Sequence, residues 1–180
     1  MLRITIPSTE FWDEAKQEFV YTKAQTLQLE HSLVSLSKWE SRWNKPFLTK
    51  QKKTLEETID YVKCMTLTQN VNPEVYNYLT NSNINEVNRY IALPMTATRF
   101  FEEKKTQGSR EQITAELVYY WMIALNIPFE CQKWHLNKLF TLIRVCDIKS
   151  RPPKKHSRRE IMKRNAALNA ARKKKWNTKG

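Results

Sequence analysis

Residues 109–148 read SREQITAELVYYWMIALNIPFECQKWHLNKLFTLIRVCDI, and this stretch decides the fold class. Ser109-Arg110-Glu111-Gln112 has the form of a capping box, with a hydroxyl at the N-cap and a Gln three residues on. It predicts a helix over about 110–126, with Ile113, Leu117, Tyr120, Trp121, Ala124 and Leu125 forming a wide apolar surface. Val118, Tyr119, Met122 and Ile123 make the second half apolar nearly all round, the pattern of a core helix. Ile127-Pro128 breaks it, and a partner helix is predicted over about 130–148, with Trp134, Leu139, Leu142, Ile143 and Cys146 inward. The expectation is a helical hairpin, 110–148, at the centre of the core.

Working back from the hairpin, the same logic places shorter helices. Asn83 is positioned to cap a helix carrying Ile84, Val87, Tyr90 and Ile91, which stops before Pro94. Asn72-Pro73-Glu74 opens another, because Pro in the first turn loses no amide partner. These two short helices read as a flank of the domain. Thr54-Leu55-Glu56-Glu57 is a second capping box, followed by Leu55, Ile59, Val62 and Met65 on one face. Leu33, Leu36, Trp39 and Trp43 recur at helical steps from Ser32 until Asn44-Lys45-Pro46, with a Lys-rich linker after it. Residues 1–30 read as a small antiparallel β element. Leu2, Ile4 and Ile6 alternate with polar residues, Phe11-Trp12 and Phe19-Val20-Tyr21 flank a polar loop, and Leu27 and Leu29 alternate with Thr26, Gln28 and Glu30.

Beyond the hairpin, Arg151-Pro152-Pro153-Lys154-Lys155 ends the globular body, here taken as residues 1–150. Residues 151–180 form a basic arm. Of the 31 Lys and Arg, 13 lie in 149–180 beside one acid, Glu160, so this segment carries +12 of the net +13. The rest of the chain is a balanced surface. Ser157-Arg158-Arg159-Glu160 is a third capping box, yet Ile161, Met162, Leu168 and a few Ala are a thin apolar complement, so a partly helical arm is expected. The fold class is therefore mainly α: a helical domain with a small N-terminal antiparallel β element and a basic, partly helical C-terminal arm.

Composition narrows the chemistry. Only two Gly occur, Gly108 and Gly180, which argues against Gly-rich phosphate loops and against a fold of many tight turns. Cys64, Cys131 and Cys146 are odd in number and widely spaced, which fits free thiols in a reducing compartment. No secretory signal is read at the start, and the longest apolar run, 117–125, is about half of what a bilayer requires. Cys131 and His135 are the only close pair of metal-ligand type, and two ligands do not make a site, so no metal and no cofactor are expected. Neither a nucleophile elbow nor a paired-carboxylate arrangement is present; Glu56-Glu57 and Glu102-Glu103 are adjacent and point apart on a helix. The expectation is a protein that binds or assembles and is not an enzyme.

Two sets of residues are candidates for binding. The first is the arm: Lys154, Lys155, Arg158, Arg159, Lys163, Arg164, then Arg172, Lys173, Lys174, Lys175 and Trp176. Such a run can neutralise phosphates without reading sequence, and Trp176 can stack on a base. Equally, it can dock on an acidic partner or serve as a solvated tail; it lacks the bulky apolar face a membrane surface needs. The second is a possible partner groove, Trp39, Trp43 and Phe47, whose bland alternative is core packing of the N-terminal layer.

Several stretches together resemble a known family. Residues 29–47 (LEHSLVSLSKWESRWNKPF), 54–67 (TLEETIDYVKCMTL), 95–98 (MTAT), 119–146 (YYWMIALNIPFECQKWHLNKLFTLIRVC), and the ending from Pro152-Pro153-Lys154-Lys155 to 164–169 (RNAALN) are similar to small proteins encoded in the structural-gene clusters of long-tailed bacteriophages. The resemblance covers most of the chain from about Leu27 onward. It implies a tail assembly chaperone, a virion morphogenesis factor that binds the long helical tape-measure protein and keeps it soluble while tail subunits polymerise. It also implies action in the cytoplasm of the infected host cell, self-association, and a second, longer product made by frameshifting. It carries over no functional residues. The expected partners are thus the tape-measure or other tail proteins, with nucleic acid at the arm and no membrane. The competing expectations are a sequence-independent nucleic-acid-binding protein and a structural head–tail completion protein.

Overall fold

A computed structural model of the chain describes residues 1–13, 17–49, 51–100, 112–152 and 157–177. The architecture is mainly α with a small antiparallel β element at the N-terminus. By its internal packing the chain divides into Met1–Ile148 and Lys149–Gly180.

The β element is a long ribbon in two pieces. β1 (Leu2–Ile6) pairs antiparallel with β4 (Gln25–Leu29), and β2 (Thr9–Asp13) with β3 (Glu18–Thr22). The pairing Ile6↔Gln25 and the pairing Thr9↔Thr22 belong to one register, so the second ladder continues the first. The interruption falls at Pro7, which has no N–H to give a ladder. The sequence thus led to one sheet where the chain makes two two-stranded ladders. Ile4, Ile6, Leu27 and Leu29 turn inward at almost zero exposure, while Thr5 and Thr26 meet on the outer face, Oγ1 to Oγ1 at 3.2 Å. The other edge of β4 is covered, because Glu30 N donates to Met65 O at 2.9 Å and Leu67 N to Gln28 O at 2.8 Å. Covering an edge in this way removes a template for unwanted pairing.

α1 (Leu33–Trp43) is the element around which the body is built. Ser32 and Ser35 close a reciprocal capping box at its start, and Asn44, at φ 50°, ends it in the left-handed conformation. Leu33, Leu36 and Trp39 face inward, with α2, α4 and the 3-10 helix Phe129–Lys133 packed against them. The predicted hairpin 110–148 is therefore not the centre of the core; α1 is. α2 (Leu55–Met65) starts at the expected Thr54–Glu57 box. Of its expected inward face Val62 and Met65 are buried, Ile59 is half-buried and Leu55 is 64% exposed, and Tyr61, not expected there, is buried beside Val62. The Tyr61 ring stacks on Phe47, centroid to centroid at 3.9 Å.

A 3-10 helix, Pro73–Tyr78, is capped by Asn72 as predicted, and α3 (Asn81–Ala92) follows. Thr80, not Asn83, is the N-cap of α3. Asn83 sits at the third helical position and returns the bond to the Thr80 amide, while its Nδ2 donates to Thr5 O at 3.2 Å and ties α3 to β1.

α4 (Ala115–Ala124) begins later than expected, capped by Thr114, and residues 112–114 are not helical; the predicted Ser109 box lies outside the described residues. The partner helix is also not continuous. Residues Phe129–Lys133 form a 3-10 helix, and α5 (Leu136–Ser150) starts only after His135. His135 is drawn into an isolated antiparallel bridge with Ser32, and Leu136 N donates to His31 O at 2.7 Å. This tertiary pairing overrides a helical period that ran unbroken in the sequence. Trp134, expected inward, is 38% exposed as a result.

The second unit contains α6 (Arg158–Trp176), started by the Ser157–Glu160 capping box and ended by Asn177 at φ 49°. None of its residues is buried.

Candidate binding surfaces

Trp39, Trp43 and Phe47 do come together, but as core. Trp39 is 2% and Phe47 7% exposed, and their rings meet edge to face at 5.0 Å. Trp39 Nε1 donates to Glu57 O at 2.9 Å, and the half-buried Trp43 stacks on Trp39 and donates to Asp60 Oδ2 at 3.0 Å. With faces and N–H groups used internally, these residues leave no open groove, which corrects the partner-groove expectation. Around them lies a polar girdle. The buried Glu40 accepts from the Phe47 amide at 2.8 Å and from the Ala115 amide at 2.7 Å, so one carboxylate fixes the linker and the start of α4 against α1. Acceptance from the first amide of α4 also places negative charge at that helix N-terminus, where the dipole favours it.

The buried histidines have the composition of a reactive cluster and the geometry of a structural one. His31 Nδ1 and the Tyr61 hydroxyl share a hydrogen bond of 2.6 Å, and the His31 and His135 rings meet at 5.1 Å. At His135, Nε2 donates to Tyr90 O at 3.1 Å and Nδ1 accepts from the Asn137 amide at 3.3 Å, which uses both nitrogens of a neutral imidazole. Burial, and secondarily the neighbouring His135, pulls His31 down to about 3; burial also lowers His135 and raises Tyr61. A ring held neutral through the physiological range, with both edges occupied, is poorly placed to shuttle protons. Cys131 and His135 do not share a helix face, since one lies in the 3-10 helix and the other in an extended bridge. Among the described residues no group of three or more His, Cys, Asp or Glu is arranged to hold a metal ion.

Among the described residues an open apolar surface lies between α4 and α5. Here a groove of about 530 Å³ is lined by Trp121, Ala124, Leu125, Phe140, Ile143, Arg144 and Asp147. Its floor is aromatic and aliphatic, and Arg144 and Asp147 place one charge of each sign on its wall. Arg144 is held by the Phe100 ring, 4.1 Å from the guanidinium to the centroid. α4 buries only Ala115, Val118 and Met122, leaving Tyr120 63% and Ile123 61% exposed. An all-round apolar helix was read as fully enclosed; a helix in a body this small has packing partners on one side only, so its remaining apolar face is open. That mismatch between apolar circumference and available neighbours was the signal in the sequence for this surface, and reading the period alone missed it.

In the other unit, Arg158, Arg159, Lys163, Arg164, Arg172, Lys173, Lys174, Lys175 and Trp176 all lie on α6 and all are exposed. Lys154 and Lys155, the remaining residues of the predicted basic set, lie outside the described residues. None of the described helices is long and apolar enough to cross a membrane. Comparisons of the chain with protein-family models, with curated proteins and with solved structures returned no match.

Proposed function

We propose that this protein is a non-enzymatic morphogenesis factor of long-tailed bacteriophages, a tail assembly chaperone that holds helical segments of the tape-measure protein in the cytoplasm of the infected host cell. The observation that carries this reading is the α4–α5 groove, an open apolar trough lined by Trp121, Ala124, Leu125, Phe140 and Ile143. A trough of this kind takes the apolar face of an amphipathic helix, the helix-in-groove mode of recognition. The opposed charges of Arg144 and Asp147 suit a client helix whose polar flanks alternate in sign. The resemblance of residues 29–47, 54–67 and 119–146 to proteins of phage structural-gene clusters supplies the class of client. Masking apolar helix faces by reversible binding lowers the free concentration of aggregating client through mass action, with no covalent step.

The test is co-expression of the chain with the tape-measure protein of its own gene cluster, read as soluble client co-purifying with the chain. Ala124→Glu places a charge in the groove at an exposed position, so the fold is retained. Burying that charge under a bound helix is expected to weaken capture by more than about tenfold. Undiminished capture by the Ala124→Glu protein rejects the groove as the client site.

A further inference from the structure

We infer that α6 is a duplex-DNA-binding helix that seats in the major groove, an activity separate from the α4–α5 groove and independent of the tail-chaperone reading. The helix has 19 residues, Arg158–Trp176, and so is roughly 28 Å long, the length of about eight base pairs. It carries eight Lys and Arg and one acid, Glu160, which is engaged in the capping box with Ser157. Every side chain on it is exposed.

The distribution of charge selects the ligand. Arg172, Lys173, Lys174 and Lys175 are consecutive, and consecutive residues step about 100° round a helix, so these four alone project to all sides. Arg158, Arg159, Lys163 and Arg164 do the same one helical end away. A flat anionic surface would meet half of these cations and leave the rest unpaired. A groove walled by phosphates on both flanks meets them on both sides. The apolar residues are wrongly arranged for a protein trough or a bilayer: Ile161 and Leu168 share a face with Arg164 and Asn165 between them, and Met162 and Trp176 lie on another side.

The middle of the helix selects duplex DNA over other polyanions. Between the two basic ends the sequence is NAALNAA, 165–171, free of charge and mostly Ala, which lets the helix axis approach a groove floor closely. Arg158, Asn165, Asn169 and Arg172 fall at i, i+7, i+11 and i+14, so they form one stripe down the helix. Arg and Asn are the side chains that pair bidentately with guanine and adenine edges in the major groove. Glu160 is about 140° round the helix from Asn165, at the other wall of the shallow concavity it lines with Ile161, Arg164, Asn165 and Leu168, and its carboxylate is taken up by the Ser157 amide. The A-form RNA major groove is too narrow and deep to admit a helix.

The experiment is fluorescence anisotropy of the full-length chain with a labelled 20-base-pair DNA duplex, a duplex RNA of matching sequence and single-stranded DNA, each over a salt series. DNA duplex is expected to bind at least tenfold tighter than either alternative at the same salt. The triple substitution Lys173→Ala, Lys174→Ala and Lys175→Ala should make the slope of log affinity against log salt shallower by about 1.8, at about 0.9 for each phosphate neutralised by Lys173 and Lys175, which flank the stripe while Lys174 faces away from it. Asn165→Ala with Asn169→Ala should weaken duplex DNA binding several-fold while leaving that slope unchanged. All these positions are exposed on α6, so unchanged far-ultraviolet helicity serves as the folding control. Equal affinity for all three nucleic acids, competition by polyglutamate as strong as by unlabelled DNA, or a slope indifferent to the lysine substitutions overturns the inference.

Discussion

α1 and α6 begin alike and end up differently. Each opens with a serine whose hydroxyl accepts from the amide three residues on, with the reciprocal bond returned by Ser35 in one and Glu160 in the other. Each stops at an Asn in the left-handed conformation. Yet α1, with 11 residues, puts Leu33, Leu36 and Trp39 into the core, while α6, with 19, buries nothing. Local signals set where a helix starts and stops; the apolar stripe decides whether anything holds it, since most helical stability in proteins comes from packing. The contrast also separates roles, because a helix with a buried face fixes a scaffold whereas one with every side chain exposed can give its surface to a ligand.

The comparison breaks most visibly at Glu40, the polar anchor of α1. Glu40→Ala leaves the Phe47 and Ala115 amides without their buried acceptor and is expected to cost about 2–6 kcal/mol, at about 1–3 for each orphaned donor. Urea denaturation measures it, and Glu40→Gln, which retains one acceptor oxygen, should fall between that variant and the parent. A loss below about 0.5 kcal/mol would mean that water replaces the carboxylate at both amides.

A smaller effect comes from His31, under the start of α1. Its folded-state affinity for protons is depressed to about 3 by burial and by His135, so the unfolded chain binds more protons below its ordinary value of 6.5. Stability is therefore full above pH 6.5 and declines as pH falls from there toward 3. Between pH 6.5 and 5 the loss from this group is about 2 kcal/mol. His135 is lowered in the same sense and adds to it. Unfolding midpoints collected across that range check the slope, and a flat profile would show that the two rings gain water or protons without unfolding.

The smallest expected change sharpens the comparison directly. Ser32→Ala removes the cap of α1 and should lower global stability by about 1 kcal/mol. Ser157→Ala removes the equivalent cap of α6 and should leave the unfolding midpoint of the body unchanged, while reducing far-ultraviolet helicity. A shift of the body midpoint by Ser157→Ala would show that the stability of the body depends on α6.

What could be read from the sequence follows the same division. The boxes at Thr54 and Ser157, the Pro73 start and the alternation of Leu2, Ile4 and Ile6 are local patterns, and the structure contains each of them. Misreadings occurred where a distant partner decided. His135 leaves the helix because Ser32, more than a hundred residues earlier, pairs with it. Asn83 yields the cap to Thr80 because its own side chain is needed at Thr5. The inward face of α2, with Val62 and Met65 where expected, also takes in Tyr61 because Phe47 and His31 lie there. The candidate surfaces divided likewise: the α6 cations were plain in the charge count, whereas the α4–α5 groove depends on which side of α4 finds neighbours.

The Glu40 carboxylate bears also on the order of events in time. Its bond to Ala115 joins residues 75 apart, whereas Trp39 and Glu57, which are also in contact through α1, are 18 apart. Closing the longer loop costs about 1 kcal/mol more chain entropy than closing the shorter one. Contacts of low sequence separation are the quicker to form. A chain emerging from a ribosome therefore has its ribbon, α1 and α2 assembled while one side of α1 still waits for α4. During that interval the nascent protein is itself an aggregation-prone client, and the arrival of Ala115 at Glu40 marks the end of its exposure.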